Sequence, residues 1–101
     1  MSMPTRVQAL IGLAHSHLDE AGQHSPNSPF AQQIRLAAAR LPLVDREHYR
    51  PPPEQLSLGR HLSAALHALD EVPPLDGPAD LQLCAWHIHE LQRLAAHEAA
   101  S

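Results

Sequence analysis

Apolar residues recur every three or four positions in four blocks of this chain, and proline- or glycine-rich stretches separate the blocks. That spacing gathers apolar side chains into one stripe along an α-helix, so the pattern predicts four amphipathic helices. The first runs from about Thr5 to Ala21, with Val7, Leu10, Ile11, Ala14, Leu18 and Ala21 in its stripe. Ser2 or Thr5 is placed to cap it and Gly22 to stop it. Gly12 falls on the outer side, where it lowers helix propensity and leaves the core side alone. In the second helix, Ser28-Pro29 is an N-cap followed by a first-turn proline, and Phe30, Ile34, Ala37 and Leu41 face inward. Pro42 ends it, because the residue before a proline is pushed out of the helical conformation.

Residues 42–53 form the longest irregular stretch. Asp45 is placed to cap a single helical turn there, and Pro51-Pro52-Pro53 imposes an extended run. The third helix is expected over Glu54 to Glu71, with Leu58, Leu62, Ala65, Leu66, Leu69 and Val72 inward. Asp76-Gly77-Pro78 reads as a turn that opens the fourth and longest helix, about Ala79 to Ala99. No alternating strand pattern and no internal repeat is present. The fold class this implies is all-α, an antiparallel four-helix bundle formed by residues 1–101 as one domain. Short connections favour simple up-and-down order with the first and fourth helices as neighbours, although 42–53 is long enough to cross a bundle end.

Composition supports helices. Phe30, Tyr49 and Trp86 are the only aromatic residues, so Leu and Ala must fill the core. The seven basic residues are all arginines and lie scattered, and the formal net charge is −4. A chain without a basic stripe is a poor ligand for phosphates, so no nucleic-acid partner is expected. Cys84 stands alone, which excludes an intrachain disulfide and suits a small buried hydrophobe. The N-terminus lacks a secretory pattern and no apolar run reaches membrane-spanning length, so a cytoplasmic protein without a membrane partner is expected.

Candidate chemistry is sparse. Phosphate-loop, nucleophile-elbow and metal-binding cysteine motifs are missing, and no acid–base pair stands out, so an enzyme is not the expected reading. The fourth helix carries more information. Leu81, Cys84, Ala85, Ile88, Leu91 and Ala95 form its inward stripe, while Leu83, His87, Glu90, Leu94 and His97 step along the roughly opposite face beside Trp86. Scattered surface hydrophobes are common, yet two leucines and a tryptophan on one outer face also fit a contact surface. Leu83, Trp86, His87, Glu90 and Leu94 are therefore the candidate interface. Its partner would be a second copy, making a homodimer, or another protein. The polar 42–53 stretch is a solvated loop by composition, with Tyr49 as a docking anchor in the alternative reading.

The nine histidines offer a second hypothesis. His15/His17 and His87/His89 are H-x-H pairs, but residues two apart on a helix point about 200° from each other. His17, His61 and His87 sit better, each on the shoulder of its helix's stripe. If the first and fourth helices are antiparallel neighbours, this trio, with Glu90 adding a carboxylate, would hold zinc or another divalent metal or a small molecule, or serve as a catalytic general base. The plainer alternative is boundary histidines bonded to backbone or water.

Overall fold

In a computed structural model of the chain, the described residues are 4–23, 29–44, 46–49, 57–73 and 81–100. Four helices follow in order: α1 (Thr5–Gln23), α2 (Pro29–Arg40), α3 (Leu58–Asp70) and α4 (Leu81–Ala100). A one-turn 3-10 helix, η1 (Arg46–His48), lies between α2 and α3, and no strand occurs among the described residues. The fold is an all-α antiparallel four-helix bundle, as the periodicity requires.

The boundaries move where local chemistry outweighs the apolar stripe. α1 continues through Gly22, which keeps ordinary helical φ and is not the stop. α3 begins later than its pattern suggests, because Ser57 takes an extended conformation and its side chain accepts a hydrogen bond from the Arg60 N–H at 3.4 Å. The expected helical residues 54–56, the caps Ser2, Ser28 and Asp45, the proline run 51–53 and the turn at 76–78 fall outside the described residues, as do positions 79 and 80.

The inward stripes meet in one core. Val7, Ile11, Ala14, Leu18 and Ala21 of α1 pack with Ile34, Ala37, Leu41, Leu62, Ala65, Leu69, Val72, Leu81, Cys84, Ile88 and Leu91. Leu10, Phe30 and Leu66 are half-buried at its margin. A core built from Leu, Ile and Ala lets helices approach closely, and no bulky aromatic is fully enclosed within it.

Connectivity departs from simple up-and-down order. α1 packs against α2 and α3, and α4 packs against the same two, while no Cα atoms of α1 and α4 come within 8 Å of each other. The expectation that the first and fourth helices are neighbours is therefore corrected: they lie diagonally across the bundle. α2 runs antiparallel to α1, since Ile34 lies beside Gly22 and the chain reaches His15 at Pro42. α4 starts at the end of α2, where Cys84 meets Ala37, and finishes beside the start of α3, where Gln92 and Ala95 line a cleft with Leu58 and Arg60. Every packed pair is thus antiparallel, and α2 and α3 are parallel across the diagonal.

The segment linking that diagonal pair is laid over α1. His15 donates from Nε2 to the Pro42 carbonyl at 3.1 Å, and the Tyr49 ring tilts against the His15 ring with centroids 5.2 Å apart. Tyr49 is half-buried by this contact and is not a free anchor. η1 sits on Gly12, where an added Cβ would run into the His48 carbonyl oxygen and lie 2.7 Å from its carbon. Gly12 is buried, not outward-facing: the absent side chain is what lets η1 close on α1.

Candidate functional site: the outer face of α4

Successive residues on α4 turn by about 100°, and the position of the core stripe fixes the rest of the helix. With Cys84, Ile88 and Leu91 buried, Leu83, Trp86 and Leu94 must point away from the core. They are 62%, 64% and 54% exposed. The candidate interface is therefore on the surface as a set, with Glu90 and His87 half-buried between the two leucines.

The flank of this row is set by α2. Ala37 accepts a hydrogen bond from the Cys84 thiol at 3.2 Å, which fixes that side of α4 against α2. Leu36 of α2, 53% exposed, is a further large apolar side chain left outside the core, and the stripe reading of α2 does not single it out.

His87 occupies the shoulder between these helices. Its Nδ1 is enclosed and has no hydrogen-bond partner among the described residues. Burial first, and the nearby Arg40 charge second, hold its pKa below the ordinary imidazole value of 6.5. The uncharged ring is thereby favoured. Glu90, one turn on, pairs with Arg93 at 3.2 Å, an exposed i,i+3 contact of small energetic weight.

Of the three histidines considered as ligands, two come together. His17 on α1 and His61 on α3 approach with their Nδ1 atoms 3.0 Å apart in the buried interior. His87 belongs to the α2–α4 shoulder, on the helix diagonally across the bundle from α1. No group of three or more His, Cys, Asp or Glu side chains able to hold a metal occurs among the described residues. The donor set present is a bonded histidine pair.

Elsewhere, a cleft of about 550 Å³ between α1 and α2 is lined by His15, Asp19, Arg35, Leu43 and Tyr49, with mixed charge and apolar walls. No helix among the described residues is long and apolar enough to cross a membrane. Comparison with protein-family models, with curated proteins and with solved structures returns no match to this chain.

Proposed function

We propose that this protein is a small helical interaction module that works through the outer face of its C-terminal helix, as a homodimer in the cytoplasm. One observation carries the reading: Leu83, Trp86 and Leu94 are all more than half exposed on a single face of α4. Exposed leucines scattered over a surface need no explanation, but a tryptophan flanked by leucines on one helix is the composition of an interface anchor. A chain of 101 residues also has only a modest core of its own, so association adds burial to it.

The test is solution mass by light scattering, on the wild type and on Leu83→Glu/Leu94→Glu. A dimeric wild type and a folded, monomeric variant are the expected result. A wild type that is monomeric at all accessible concentrations overturns the homodimer. The reading with zinc or another divalent metal rests on two histidines where a site needs three or four donors, and metal analysis of the purified protein addresses it directly.

A further inference from the structure

The order of residues along the exposed row of α4 has a symmetry of its own. Leu83, His87, Glu90 and Leu94 are spaced four, three and four, the step that keeps side chains on one seam of a helix. Read from either end, the row is apolar, polar, polar, apolar. The two inner residues are a hydrogen-bond donor and an acceptor.

From this we infer that two copies pair α4 against α4 antiparallel about a two-fold axis midway between His87 and Glu90, which rests on the homodimer reading above. A two-fold operation reverses the helix, so Leu83 meets Leu94 of the partner copy and His87 meets Glu90 of the partner copy, each contact occurring twice. The parallel alternative sets the Glu90 carboxylate on that of the partner copy, juxtaposing like charges, and faces His87 with a second His87 instead of a carboxylate. The antiparallel register is the one that satisfies the seam.

Two further details fit. The enclosed Nδ1 of His87 leaves Nε2 as the ring nitrogen open to a partner, and protonated there it donates to the carboxylate of the partner copy's Glu90. Trp86 and Arg93 lie on the same shoulder of α4, and the register brings Arg93 to within about 3 Å of the axial level of the partner copy's Trp86, in range of a cation–π contact. Polar residues inside an apolar seam contribute orientation, and here they select a second copy over an arbitrary apolar surface.

The test is disulfide cross-linking with Leu83→Cys and Leu94→Cys, since both positions are exposed and Cys84 is buried. An equal mixture of the two single variants is expected to cross-link, while neither does so alone. Like positions would lie about 16 Å apart along the axis, beyond the reach of a disulfide. A charge exchange supplies a second readout. His87→Glu weakens the dimer by about tenfold or more, and His87→Glu/Glu90→His restores it. A dimer in which Leu83→Cys cross-links to itself overturns the register and leaves the interaction reading standing. A wild-type monomer overturns both.

Discussion

The Nδ1 atoms of His17 and His61 lie 3.0 Å apart, so one imidazole donates to the lone pair of the other. This bond requires that at least one ring be uncharged. His61 is 1% exposed, and the rings tilt together with centroids 5.3 Å apart. Helices α1 and α3 are thereby joined by a polar contact inside an otherwise apolar seam.

Stability is expected to fall on mild acidification. The pKa of His17 lies below 6.5, through burial first and the neighbouring His61 second. The unfolded chain then binds more protons than the folded one between the two values. The stabilisation is complete above about pH 6.5 and is lost as pH falls below it, and His87 contributes with the same sign. Urea midpoints should be lower at about pH 5.5 than at about pH 7.5. His61→Ala is expected to cost about 3 kcal/mol and to flatten this dependence. An unchanged pH dependence in that variant would show that the pair is not its source.

Gly12→Ala is expected to destabilise the fold by about 2 kcal/mol, although alanine is the better helix former. The added methyl group meets the carbonyl of His48, which is backbone and has no rotamer to yield. Gly59→Ala is the control, because nothing lies within 4 Å of its added Cβ, and it should gain roughly 0.5 to 1 kcal/mol. Thermal unfolding of the two variants should move in opposite directions. A stabilised Gly12→Ala would mean that η1 does not stay seated on α1.

Cys84 should be inert in the folded protein. Burial pushes its pKa up to about 11, against a smaller opposing pull from Arg40, and its Sγ donates to the Ala37 carbonyl at 3.2 Å. The reactive thiolate is therefore scarce at neutral pH, and the sulfur is enclosed. A thiol reagent should fail to modify the native protein and should modify one group per chain in urea. Fast modification without denaturant would reveal frequent opening between α2 and α4.

What the sequence disclosed and what it withheld divide along a physical line. The stripes of α1 to α4 were legible because burial of one helix face imposes a period on the chain, and residues such as Ile11, Ile34, Leu62 and Ile88 sit where that period puts them. Trp86, Leu83 and Leu94 were legible for the same reason, as residues left over on the other face. Adjacency was not. A stripe records that a face is covered and not which helix covers it, so the diagonal placement of α1 and α4 stayed hidden. Two particulars depended on it: the His17–His61 contact and the separation of His87 from that pair. Gly12 was misread because η1, far along the chain, is what covers it.

The diagonal placement of α1 and α4 also separates two sets of constraints. α1 carries His17, His15 and Gly12, each committed to an interior contact, whereas α4 carries the exposed row. With these helices on the diagonal and their backbones apart, a change on the outer row reaches the interior pair chiefly through α2 or α3. Free energies of substitutions at the two places should therefore add. Such an arrangement lets the surface diversify, residue by residue, while the interior that holds the bundle together stays fixed.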